Sequence, residues 1–219
     1  RLIAAQDIDI LIDLQGLTSG ARPDILSWRP ARHQITYLGF PATTGLPSID
    51  HVIADRFVMP EALQPFMTEK PLYLPHCYQA SDRQRPVGAM PKRADYQLPD
   101  DAFVFCSFNN NFKMTQEMFS LWMRVLQQVE GSVLWLLADN RWAQANMLRC
   151  AAEHGVDASR LIFAPRVAPP DYQARFTLAD LFLDTFPYNA GTTANDELWM
   201  GTPILTLSGR TYISRMAGS

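Results

Sequence analysis

The stretch FVFCSFNNNFKMTQEMFSLWMRVLQQVEGSVLWLLADNRWAQANMLRCAAEHGVDASRLIFA, residues 103–164, decides the fold. It alternates strand and helix: strand Phe103 to Phe108, helix Gln116 to Val129, strand Val133 to Ala138, helix Arg141 to His154, strand Leu161 to Ala164. In the first helix Phe119, Trp122, Leu126 and Val129 recur at three- and four-residue steps, which lays one apolar stripe against a sheet. Thr115 is placed to cap it, with Met114 and Phe119 stapling the entry. The second helix ends with His154 in its last turn, where a cationic imidazole suits the dipole, and Gly155 just beyond, where a left-handed cap is wanted. A strand as continuously apolar as Val133-Leu134-Trp135-Leu136-Leu137 implies a parallel sheet covered on both faces.

The alternation runs on with a short helix from about Pro170 to Phe176, strand Leu181 to Asp184, helix Ala194 to Met200 and strand Ile204 to Leu207. Residues from about 95 onward therefore read as a Rossmann-like half. Ahead of them, Ile8 to Leu14, Gln34 to Leu38, His51 to Ala54 and Pro71 to Leu74 are short strand-like runs between glycine and proline clusters. A short helix near Pro23 presents Ile25, Leu26 and Trp28. The polar, proline-bearing stretch from about Ser81 to Pro99 reads as a linker.

Composition narrows the function. With 219 residues, 47% of them hydrophobic, the chain can bury a substantial core. A net charge of −3 weighs against a nucleic-acid partner. No run approaches the ~18 apolar residues that cross a bilayer. Cys77, Cys106 and Cys150 lie far apart and read as reduced thiols, so the expected compartment is the cytoplasm. His33, His51, His76 and His154 lack metal-ligand spacing, and no metal is expected. The chain begins at Arg1 rather than a methionine, as expected of a piece of a longer protein.

In a doubly wound sheet ligands bind beyond the carboxyl ends of the strands, so two loops matter most. One, Asn109-Asn110-Asn111-Phe112-Lys113, ends in a lysine before a helix start; it either reaches an anion there or is a solvated side chain. The other runs from Thr185 through Tyr188, Gly191, Thr192 and Thr193 to Asp196, and its glycine, hydroxyls and free helix amides suit a diphosphate. Thr193 and Asp196 also fit an ordinary capping box, and both readings can hold together. No G-x-G-x-x-G, P-loop or G-x-S-x-G motif is present. His76, at a strand end, is a catalytic candidate set against an ordinary satisfied histidine.

Several of these segments, in order, resemble the O-linked N-acetylglucosamine transferase and SPINDLY glycosyltransferases over nearly the whole chain. They are Asp13-Leu14-Gln15-Gly16 with Gly20-Ala21-Arg22, Tyr37 to Pro41 with Thr43-Thr44-Gly45, Leu74-Pro75-His76, Phe108 to Lys113, Ser132 to Leu137, Leu183-Asp184-Thr185, Gly191-Thr192-Thr193 and Leu198 to Pro203. The resemblance implies an α/β fold of two Rossmann-like domains facing a cleft (GT-B type), the first incomplete at its N-terminus and the second at its C-terminus. Residues 1–92 would finish the first domain and its linker, and 93–219 would form the nucleotide-sugar-binding domain.

It also implies roles. Lys113, Thr192 and Thr193 would contact the donor's diphosphate, Asp196 the ribose, and Arg166, Val167 and Arg175 the base, while Leu38, Gly39 and Pro41 would border the sugar. Asn110, Tyr172, Tyr188, Gly191 and Pro169 stand where animal members carry glutamine, histidine, cysteine, histidine and lysine. Donor-site positions Asn110, Gly191 and Tyr188 are among these, so base and sugar selectivity stay open between UDP-N-acetylglucosamine, GDP-fucose and UDP-glucose. The implied activity is an inverting, cofactor-free transfer of a sugar to serine or threonine hydroxyls of a protein acceptor, with helical repeats elsewhere in the polypeptide. Two other readings stand beside it: a non-catalytic nucleotide-binding scaffold, and a glycosyltransferase with a lipid or small-molecule acceptor.

Overall fold

The computed structural model describes residues 2–137 and 140–219, so the expected strand end at Ala138 and the first residue, Arg1, lie outside the described residues. The chain forms two compact units, Arg1–Ala80 with Gly209–Ser219, and Ser81–Ser208.

The first unit holds a four-stranded parallel sheet of β1 (Ile10–Asp13), β2 (His33–Thr36), β3 (His51–Ala54) and β4 (Lys70–Tyr73), in that order across the sheet. Helix α1 (Pro23–Ser27) starts on a proline, which suits a first helical turn. It buries only Leu26; Ile25 and Trp28 of the expected apolar face are exposed, because a helix this short turns a single position inward. The last residues of the chain return to this unit. Arg215 donates to Phe57 O (2.6 Å) and lies over its ring, and Ser219 Oγ donates to the buried Asp55. Residues 209–219 thus group with the first unit, whereas the sequence reading places them with 93–219.

The second unit holds β5 (Phe103–Ser107), β6 (Ser132–Leu137), β7 (Leu161–Ala164), β8 (Leu181–Leu183) and β9 (Ile204–Leu205), all parallel, in the order β7-β6-β5-β8-β9. That order reverses direction at β5, which places a topological switch point between the carboxyl ends of β5 and β8. Every residue of β6 is buried, as its unbroken apolar run predicts. Helices α2 (Gln116–Gln128) and α3 (Arg141–Glu153) cover one face, where Phe119, Trp122, Met123 and Leu126 meet Leu134, Leu136, Met147 and Ala151. Burying each large side chain of that set contributes about 1.5–3 kcal/mol. Thr115 caps α2 by accepting from the Met118 amide, and Gly155 takes the left-handed backbone (φ 68°) that closes α3. His154 fits there too, its Nδ1 2.8 Å from Cys150 O.

Helix α4 (Pro169–Arg175) lies toward the other face, where Trp135, Phe108, Tyr172 and Phe176 stack edge to face or tilted. Helix α5 (Thr192–Trp199) begins two residues earlier than the sequence suggests. The stretch read as a linker is instead fastened within this unit. Gly88 N–H donates to Pro170 O (2.9 Å), Ser81 to Asn195 (2.7 Å), and Arg93 to Asp180 and to carbonyls of residues 99, 100 and 102. Its prolines and arginines read as a linker by composition, but Arg85 and Arg93 have fixed acceptors here.

Candidate functional site

The two loops singled out by the sequence meet at the switch point, and Asp184 is what joins them. It follows β8 directly and is buried, and its carboxylate accepts from the amides of Thr185 (2.8 Å) and Ala190 (2.7 Å), from Asn109 Nδ2 (3.1 Å) and from Thr206 Oγ1 (2.7 Å). One side chain thereby closes the 185–190 loop and ties it to the segment after β5 and to the residue after β9. Burial pushes the Asp184 carboxyl up, against the hydrogen bonds that favour its charged form. Asn109 also donates to Thr185 Oγ1 (2.8 Å), and Asn189 Nδ2 to Thr185 O (2.8 Å).

Lys113 is set over this frame. Its Nζ donates to Asn189 O (3.1 Å) and lies 4.1 Å from the centre of the Tyr188 ring, whose edge-to-face partner is Phe112. Burial lowers its pKa while the Asp184 charge raises it. An ammonium carries three donors, so the bond to Asn189 leaves two to offer an anion.

Gly191 is the N-cap of α5, with no side chain to close the helix start, and Thr192 and Thr193 are its first two residues. The capping box expected of Thr193 and Asp196 is not formed. The helix starts at Thr192 instead, after Gly191, and Asp196 falls inside it, where it pairs with Arg85 and Gln173. Thr193 instead hydrogen-bonds the Tyr172 hydroxyl, whose pKa burial pushes up.

The candidates for the base lie around the end of β7. Arg166 is exposed, and Val167 lines a cleft of about 320 Å³ with Pro165, Tyr96 and Asp95. Arg175 is not on that surface. It is fully buried, its guanidinium 3.9 Å from the Phe108 ring centre and 4.6 Å from that of Tyr172, donating to Pro165 O (3.0 Å), so as placed it supports the site from below. Asn110 is exposed and its carbonyl accepts from the Lys113 amide (2.9 Å).

The remaining candidates belong to the first unit. Leu38 and Gly39 are exposed beyond β2, Leu38 with φ 67°. A Cβ on Gly39 would fall 2.1 Å from Leu14 O, so only glycine lets the two loops approach. Pro41 is half-buried, and Thr43 and Thr44 further along the loop are held by the buried Glu69. His76 is exposed past the end of β4. Among the described residues no cluster of histidine, cysteine, aspartate or glutamate is arranged to hold a metal ion.

Parallel sheets, one of them doubly wound with a lysine and an open helix start at its switch point, define an α/β protein of the ligand-binding Rossmann-like class. The chain belongs to glycosyl transferase family 41, whose model matches residues 1–90 and 87–219. It is 38% identical over its whole length to an Arabidopsis thaliana protein named as a probable UDP-N-acetylglucosamine–peptide N-acetylglucosaminyltransferase, SEC, of which it covers 23%. It is 32% identical, over 95% of its length, to a probable transferase of the same kind, SPINDLY, from Eustoma exaltatum subsp. russellianum, again covering 23%. Among solved structures, a Thermobaculum terrenum O-GlcNAc transferase variant matches all of this chain with a TM-score of 0.88 at 29% identity, and the chain covers 41% of it. The chain thus spans about a quarter of the length of these curated relatives. No helix among the described residues is long and apolar enough to cross a membrane.

Proposed function

We propose that this chain supplies the donor-binding part of a glycosyltransferase that moves N-acetylglucosamine from UDP-N-acetylglucosamine to serine or threonine hydroxyls of proteins. The observation that carries the reading is Lys113, partly buried at the switch point beside the open start of α5. The names of the relatives support the donor and the peptide acceptor. In this scheme both units of the chain contribute to one enzyme.

The acceptor oxygen attacks the anomeric carbon from the face opposite the leaving diphosphate, so configuration inverts. The bond from that carbon to the phosphate oxygen breaks with its electron pair left on the diphosphate, and the hydroxyl proton passes to a base, for which His76 is the candidate. Charge grows on the diphosphate as the bond breaks, and preorganised donors aimed there lower the barrier. Lys113, the amides of Thr192 and Thr193 and the Thr192 hydroxyl fill that role, and no metal is needed. Asp184 helps Lys113 stay charged. Asp196 takes the ribose, the Arg166–Val167 segment borders the base, Asn110 and Gly191 line the donor, and Leu38, Gly39, Pro41 and Tyr188 border the sugar. The three free cysteines suit a cytoplasmic enzyme.

The test is mass spectrometry of serine- and threonine-bearing peptides incubated with the full-length protein and UDP-N-acetylglucosamine, GDP-fucose or UDP-glucose. Addition of N-acetylglucosamine is expected, and Lys113→Ala is expected to lose about 100-fold or more in turnover. Near-normal turnover in that variant removes the lysine from the chemistry. Donor binding without transfer to any acceptor points to a scaffold instead.

A further inference from the structure

The segment between residues 81 and 88 is built to deliver one side chain to α5. Ser81 is fastened to Asn195, and the Gly88 amide to Pro170 O. A Cβ at Gly88 would lie 2.5 Å from an Asp171 carboxylate oxygen, so the strap approaches α4 as closely as a residue without a side chain permits. Between these anchors Asp82 accepts from the Gln84 amide (2.8 Å), and its carbonyl accepts from Arg85 Nε (3.1 Å). That fixes the arginine fork, which pairs with the Asp196 carboxylate and lies 5.2 Å from the centre of the Trp199 ring. Both side chains of the pair are nearly buried, at 14% and 13% exposure.

We infer that Arg85 is a positioning residue for the nucleotide, holding Asp196 charged and oriented so that its spare acceptor positions take the ribose hydroxyls of a nucleoside diphosphate. A carboxylate has about four lone-pair sites, and Arg85 and Gln173 use two. Burial alone would favour the neutral acid, which accepts poorly, and the arginine opposes that. The inference rests on the ribose role of Asp196 in the function proposed above.

Titration calorimetry of the full-length protein with UDP, GDP and their 2′,3′-dideoxy analogues separates the two. The wild type is expected to bind one ribonucleotide about tenfold more tightly than its dideoxy analogue, as a hydrogen bond to a charged acceptor gives. Arg85→Gln should bring that ratio close to one by weakening the ribonucleotide alone, with Arg85→Lys in between. The dideoxy compound, bound unchanged, shows that the site is folded. Equal weakening of both ligands, or no weakening, would make Arg85 a mere staple of the strap and overturn the inference. Should Asp196→Asn leave the ratio intact, the ribose contact is misassigned and the inference falls with it. If neither UDP nor GDP binds the wild type, the proposed function itself fails first.

Discussion

Two loops that follow parallel strands, one in each unit, are each held by a single buried carboxylate, and the two carboxylates behave in opposite ways. In the first unit Glu69, just ahead of β4, accepts from Thr43 Oγ1 (2.7 Å), the Thr44 amide (2.7 Å) and the Thr44 hydroxyl, about 25 residues away in sequence. Burial pushes its carboxyl up, but the hydrogen bonds from Thr44 and Thr43 outweigh it and leave it below the usual carboxylate range. In the second unit Asp184 has four donors against three, yet its carboxyl stays above the ordinary value because burial wins. The difference lies in burial, which outweighs the hydrogen bonds at Asp184 but not at Glu69. Glu69 fixes a loop, whereas Asp184 fixes a loop and also supports the charge of the Lys113 ammonium.

Removing the hub of the second unit should have the larger effect. Asp184→Ala strands the buried Thr185 and Ala190 amides and is expected to cost about 3–5 kcal/mol, read by denaturant unfolding. A loss under about 1 kcal/mol would mean that other groups close the loop. Glu69→Gln should cost less, about 1–3 kcal/mol, since a neutral amide of the same shape keeps part of the network.

Its signature is in the pH dependence. A carboxyl depressed in the folded state contributes stability above its unfolded pKa of about 4, and that contribution disappears as pH falls through the lower folded value. The wild type should therefore lose stability on acidification more steeply than Glu69→Gln. Identical acid limbs would show that Glu69 is not the depressed group. Asp184, being raised, contributes with the opposite sign and cannot mimic the effect.

The same contrast marks what could be read without coordinates. The switch-point loops were legible because strand-helix alternation alone places Lys113 and the Gly191-Thr192-Thr193 turn at strand ends. Asp184 was not, since an acid closing an apolar strand looks like its boundary; its acceptor work depends on Asn109 and Thr206, 75 and 22 residues away. The start of α5 is equally hidden from local sequence: it follows Gly191, with no side-chain cap to mark it. Arg85 reads as linker in the sequence because its surroundings are polar and proline-bearing, while its partner Asp196 lies 111 residues on. The resemblance implies a base contact for Arg175, but residue type cannot reveal that its guanidinium lies against the Phe108 and Tyr172 rings. In the first unit all four strands were legible from short apolar runs, each within a few residues of its end.

The most direct measurement is a crystal structure of the full-length protein soaked with UDP. The account predicts diphosphate oxygens within about 3 Å of Lys113 Nζ and of the Thr192 and Thr193 amides. Diphosphate bound elsewhere, with Lys113 still donating only to Asn189 O, would contradict it.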